Sequence, residues 1–314
     1  YLTPSISQRK LWSLARRIDA FLGAPIRRYI HSFDDRVLEA VPYHKVGLSQ
    51  PEEDEGLLFY RWASVFIWFF FPAAHRPLRL VSFDSSLRPR HRRGLMGFYR
   101  RCVQRHLYYH GPEKHFLSKN PAFTGKLRSL RETFPDARIA CLVRKPVELV
   151  PSMINWFSFA WSYFGDTKQR FLFPELIRDI ALFWYRYPLE IYREQGAMGA
   201  PEGPNPAGAI ASRGPGTHPG GLRFLAFEQI AGSFPRVAQG IYSFVGHPGD
   251  PHARGVVPRP EEVTERPRGL TPELVGLSTG DIRQRFHHVM EEYYALPPEA
   301  WIGEGPRSEL EHGT

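Results

Sequence analysis

Cysteine is scarce in this chain: Cys102 and Cys141 are the only two among 314 residues. That excludes a disulfide scaffold and an all-cysteine zinc site, and it fits a reduced compartment, the cytosol. Long apolar runs are also missing. The most apolar stretch, Trp62 to Phe71 (WASVFIWFFF), is half of what a membrane-spanning helix needs, so no span is expected and the run reads as a buried helix. The opening residues lack a signal-peptide layout, because their basic side chains do not precede an apolar stretch. A glycine-rich phosphate loop is absent too. Gly125-Lys126 lacks both the first glycine of such a loop and the following Ser or Thr.

What is present is apolar material for a core, 42% of residues, and a basic excess of 41 Lys+Arg over 32 Asp+Glu, a net charge of +9. That balance excludes a disordered acidic chain and points to an anionic partner. The basic residues are spread over several helices without a recognisable nucleic-acid module, so nucleic acid is not the expected anion.

Periodicity predicts a basic helix over 5–30, a helix opened by Pro51 with Ser49 as cap and Glu52, Glu53, Asp54 and Glu55 in its first turn, and a basic helix over 92–110 ended by Gly111-Pro112. His106 and His110 stand four apart on that last helix, but no third ligand is signalled and no metal is expected. A short strand (115–119), a helix (125–134), a buried strand without polar alternation (137–143) and a long helix (147–164) follow. In that helix Pro151 is tolerable only in the first turn. This order predicts an α/β fold with a parallel sheet covered by helices. Further on come a helix (173–194), a Gly/Pro-rich insertion (196–221), a strand (222–227) and helices over 234–246 and 279–296.

Arg144-Lys145-Pro146 directly follows the strand at 137–143, and Ser152 lies eight residues beyond Arg144. At the carboxyl end of a parallel strand, a guanidinium and a hydroxyl in the next helix's first turn can grip one phosphate from two sides.

Longer blocks point the same way. LSKNPAFTGKLRSLRETFPDARIACLVRKPVELVPSM resembles the 3′-phosphate-binding block of the P-loop sulfotransferase superfamily, with its K-x-P strand end, FPDAR, apolar strand, R-x-P and Ser. PEEDEGLLFYRWASVFIWFFFP, LRFLAFEQIAGSFPRVAQGIYSFVG and GLTPELVGLSTGDIRQRF are similar to three further blocks of its bacterial branch, in the same order. The resemblance implies one sulfotransferase-like domain over 1–314, a P-loop-like three-layer sandwich around a central parallel sheet. It also implies the donor 3′-phosphoadenosine 5′-phosphosulfate and sulfuryl transfer to a hydroxyl or amine of a small-molecule, glycan or lipid acceptor. Peripheral contact with a membrane is compatible with this reading; a resident metal is not implied. Arg144 and Ser152 fall on the positions that hold the donor's 3′-phosphate, and Lys119 on the strand-end lysine beside the transferring group. Related enzymes have His in K-x-P-x-H; Phe123 stands there in this chain, which moves the base to the acidic cluster, with Glu53 and Glu55 as candidates. Glu228 is expected to orient structure. The family's 5′-phosphosulfate loop is not found. With Tyr rather than Met at position 1, the expectation is that this loop and the first strand precede the sequence given. The chain as it stands is then expected to bind donor weakly and not turn it over. The alternatives are a non-catalytic binding protein of the same fold and a basic nucleic-acid-binding protein.

Overall fold

The computed structural model describes residues 6–33, 53–73, 78–111, 114–164, 170–197, 221–232, 234–246 and 270–306. The chain divides into two compact units, Tyr1–Trp68 with Ala73–Phe123, and Phe69–Pro72 with Thr124–Thr314. Ser49, Pro51 and Glu52, and all of the Gly/Pro-rich insertion except its ends, lie outside the described residues.

The first unit is helical. The basic stretch expected as one helix is two, α1 (Ile6–Phe21) and α2 (Pro25–Phe33). They are separated because Gly23 and Ala24 adopt left-handed φ of 84° and 60° and Pro25 has no N–H to continue α1. After the short helices α3 (Leu78–Val81) and α4 (Phe83–Ser86) comes α5 (Pro89–His110), opened by Pro89 and stopped at Gly111 (φ 121°). Its buried face, Leu95, Met96, Tyr99, Cys102 and Val103, recurs at helical spacing. Tyr99 meets Phe123 edge to face, with ring centroids 5.2 Å apart. The aromatic run is not the α-helix expected. Two 3-10 helices, Asp54–Arg61 and Val65–Phe69, are separated by a left-handed Trp62 (φ 50°), which leaves Trp68 buried and Trp62 exposed.

The second unit carries the sheet. After α6 (Leu127–Thr133), strand β1 (Arg138–Val143) pairs in parallel with β2 (Gly221–Ala226), from Arg138 opposite Gly221 to Val143 opposite Ala226. Parallel strands need a long crossover, and α7 (Pro146–Phe164) and α8 (Pro174–Ala197) lie between them in the chain. Then come α9 (Phe227–Gly232), α10 (Phe234–Val245) and α11 (Thr279–Tyr294), the last capped by Ser278, whose Oγ accepts the Asp281 N–H at 3.0 Å. Phe224 of β2 packs with Tyr293 and Trp301, centroids 5.1 and 5.7 Å away, and Trp301 forms an isolated parallel bridge to Phe224. Phe69 and Phe70 join this unit by packing on Phe157 and Phe164 of α7.

The described residues thus form a helix-rich α/β arrangement with a small parallel sheet. Two strands are compatible with the expected architecture but do not by themselves make a three-layer sandwich. Three local expectations fail for physical reasons. Residues 115–119 form no strand: Leu117 is exposed and no described strand pairs with the segment. β1 is not buried throughout, since Ala140 and Leu142 share a face open to solvent. And α7 begins at Pro146, so Pro151 lies inside it and withdraws a donor from the Val147 carbonyl. Among the described residues no helix is long and apolar enough to cross a membrane.

Candidate active site

In the first unit three successive acids meet three environments. Glu53 is extended (φ −66°, ψ 122°) at the mouth of the 3-10 helix, so its side chain points away from the next two. Its Oε1 lies 2.6 Å from Lys119 Nζ. The lysine side chain is 74% exposed, so this ion pair is worth about 1 kcal/mol at most, and Lys119 can leave Glu53 at small cost. Asp54, 4% exposed, instead gathers three donors: the Tyr99 hydroxyl, Ser118 Oγ at 2.7 Å and Asn120 Nδ2 at 3.2 Å. Burial first, and then the Asp54 charge, push the Tyr99 hydroxyl well above the usual tyrosine range, so it remains a donor. Glu55 is fully buried. Its Oε1 accepts the Val65 N–H at 2.9 Å and its Oε2 accepts the Ser64 hydroxyl, which pins the turn after Trp62.

These bonds explain how Lys119 is presented. In extended chain, alternate side chains take opposite sides. Ser118 and Asn120 both turn inward to Asp54, which leaves Lys119 outward beside Glu53. Asn120 Oδ1 also accepts the Ala122 N–H at 3.2 Å, setting the turn at Pro121. Sequence reasoning put Glu53, Glu55 and Lys119 forward; the structure joins Glu53 with Lys119 and turns Glu55 into the interior. Asp54 is legible only as a member of the acidic cluster, and nothing in the sequence singles out Tyr99, Ser118 or Asn120 as its partners. The alternation of Ser-Lys-Asn signals only that Ser118 and Asn120 share a side.

In the second unit, Arg144 is the first residue past β1. Its carbonyl accepts the Tyr185 hydroxyl, and burial holds that hydroxyl above the usual tyrosine range. The guanidinium lies 5.0 Å from the Phe227 ring centroid, and its Nε and a terminal nitrogen are each 3.1 Å from Glu148 Oε2. Both interactions orient the fork. Ser152, half-buried, is the seventh residue of α7, in its second turn and not its first. The first turn offers few backbone donors: Pro146 has no N–H, and the Glu148 and Leu149 amides bond the Lys145 carbonyl at 3.0 Å. Glu228 lies in the first turn of α9. Lys126 is fully buried, as suits a residue outside a phosphate loop.

The His106 and His110 rings lie tilted against each other, with centroids 4.3 Å apart and planes at 38°. Among the described residues, the group of metal-ligand types close enough to hold an ion is His287, His288 and Glu291, exposed on α11. A separate cavity of about 360 Å³ in the first unit is lined by Arg61, Arg88, Arg90, His91, Gly94 and Leu95.

Neither a curated protein nor a solved structure shows significant similarity to the chain. The model of the sulfotransferase family matches residues 9–251, more than three quarters of the sequence and including Glu53, Glu55, Lys119, Arg144 and Ser152. By that match, the chain belongs to the sulfotransferase family.

Proposed function

We propose that the protein transfers a sulfuryl group from 3′-phosphoadenosine 5′-phosphosulfate to a hydroxyl or amine, with Arg144 and Ser152 as the residues for the donor's 3′-phosphate. The observation that supports this most is the placement of Arg144. It stands at the carboxyl end of a parallel strand, where ligands of open α/β sheets bind, with its backbone fixed by Tyr185 and its fork oriented by Phe227 and Glu148. A doubly charged phosphate outcompetes the single Glu148 carboxylate for that guanidinium.

In the transfer, the acceptor oxygen or nitrogen attacks sulfur and the bond to the bridging phosphate oxygen breaks. 3′-Phosphoadenosine 5′-phosphate then leaves with the bond's electron pair. Negative charge grows on the bridging oxygen, and the role proposed for Lys119 is to offset it. The acceptor's proton needs a base. Glu53 suits the role better than Glu55, because Glu55 already spends both oxygens on Ser64 and Val65 in the interior. The exposed ion pair with Lys119 is weak enough to open, which leaves the Glu53 carboxylate able to take the proton.

Calorimetric titration with 3′-phosphoadenosine 5′-phosphate tests the reading. Arg144→Ala is expected to weaken binding at least about tenfold, the loss of one charge-assisted pair. Unchanged affinity overturns it.

A further inference from the structure

The first 33 residues hold six basic side chains, Arg9, Lys10, Arg16, Arg17, Arg27 and Arg28, and a single acid, Asp19. That acid is not available to balance them. It is buried, and its two carboxylate oxygens accept the Ile26 and Arg27 backbone N–H groups at 2.6 and 3.1 Å, capping the first turn of α2. The cap and the Gly23-Ala24 turn fold α1 and α2 into a hairpin.

The apolar residues of this hairpin do not face a core. Leu14, Ile18 and Phe21 of α1 and Leu22 just past its end recur at i, i+4, i+7 and i+8, a single stripe, and all four are exposed, Phe21 by 89%. Ile26 and Tyr29 of α2 are exposed as well. Arg16, on the opposite side of α1, reaches the Tyr109 hydroxyl of α5 at 2.7 Å, so α1 packs by its other side and turns the stripe to solvent. Arg17, Arg27 and Arg28 are exposed around it.

We propose that the α1–α2 hairpin is a docking surface for an anionic phospholipid bilayer. The apolar stripe enters the boundary between headgroups and acyl chains, and the flanking arginines meet lipid phosphates. The combination selects this partner. A nucleic acid satisfies the arginines but leaves Phe21, Leu22 and Ile18 in water. A second copy of the same face covers the apolar stripe but sets one basic surface against another. A lipid interface satisfies both halves, and no described helix has the length and hydropathy to go further and span it. The inference is independent of the transfer chemistry.

Co-sedimentation of the protein with vesicles tests it. Vesicles of phosphatidylcholine mixed with phosphatidylglycerol are expected to bring the protein down, whereas phosphatidylcholine alone does not, and added salt releases it. Each arginine near an anionic surface contributes about fivefold, so the triple variant Arg17→Gln, Arg27→Gln, Arg28→Gln lowers the partition at least about tenfold. Phe21→Ser with Leu22→Ser lowers it comparably, with the circular dichroism of all variants unchanged. The wild-type dependence on lipid charge and salt reads the proposal even if a variant unfolds. Equal binding to neutral vesicles, binding to neither, or a concentration-dependent dimer abolished by Phe21→Ser each overturn it.

Discussion

Asp54→Ala removes the acceptor on which three donors converge, and the structure fixes what each loses. The buried Tyr99 hydroxyl exchanges a charged acceptor for the neighbouring Ser118 hydroxyl, a cost of about 1–2 kcal/mol. Ser118 and Asn120 sit nearer the surface; they exchange a charged acceptor for water and lose about 0.5–1 kcal/mol each. The total is about 2–4 kcal/mol. Spread over a unit of this size, it lowers the first unit's Tm by about 10 °C. Scanning calorimetry on the wild type, Asp54→Ala, Tyr99→Phe and the double variant closes a cycle, with an expected Asp54–Tyr99 coupling of at least about 1 kcal/mol. The loosened 118–120 segment also frees Lys119 from Glu53. A stability change within about 0.5 kcal/mol of wild type, or strict additivity in the cycle, refutes the reasoning, because only a solvent-exposed acid behaves that way.

Other consequences follow from single contacts. Glu148→Gln removes the anion that competes for the Arg144 guanidinium, so affinity for 3′-phosphoadenosine 5′-phosphate in calorimetry rises a few-fold. Burial holds the Tyr99, Tyr185 and Tyr293 hydroxyls above their ordinary value. Above pH ~10 the unfolded chain releases protons that the folded one keeps, so stability falls as pH rises; ultraviolet titration should show these three ionising only with unfolding. Burial pushes the Cys141 thiol up to about 12 and the Cys102 thiol above its usual value, so neither reacts quickly with a disulfide reagent at pH ~8 until denaturant is added. Ser278→Ala removes the α11 cap and costs about 1 kcal/mol in denaturant unfolding.

Much of the second unit was legible in the sequence because its signals are local. Apolar runs located β1, β2, α7 and α10 to within a few residues, and the amphipathic pattern of 279–296 located α11. The first unit was less legible because its segments are held by bonds distant in sequence. Nothing near residue 118 announces that its partner is Asp54, and the extended segment there was read as a strand although it joins no sheet. A short apolar run likewise reads as a buried helix, whereas Glu55 holds Ser64 and Val65 in a turn that breaks it. For the candidate residues, the sequence located the acidic cluster but not the order of its members: Glu53 faces Lys119, Asp54 anchors the loop and Glu55 pins the turn. Exposure of the α1 stripe was hidden for a related reason, since periodicity shows that a face is apolar but not what, if anything, covers it.

The claim that Arg144 reads the 3′-phosphate of the donor is tested most directly by comparing two nucleotides on two proteins. Calorimetry with 3′-phosphoadenosine 5′-phosphate and with adenosine 5′-phosphate, on the wild type and on Arg144→Ala, isolates the contact from any general loss of binding. The account predicts that the wild type prefers the 3′-phosphorylated nucleotide by about tenfold or more and that Arg144→Ala loses most of that preference. An equal preference in both proteins would contradict it.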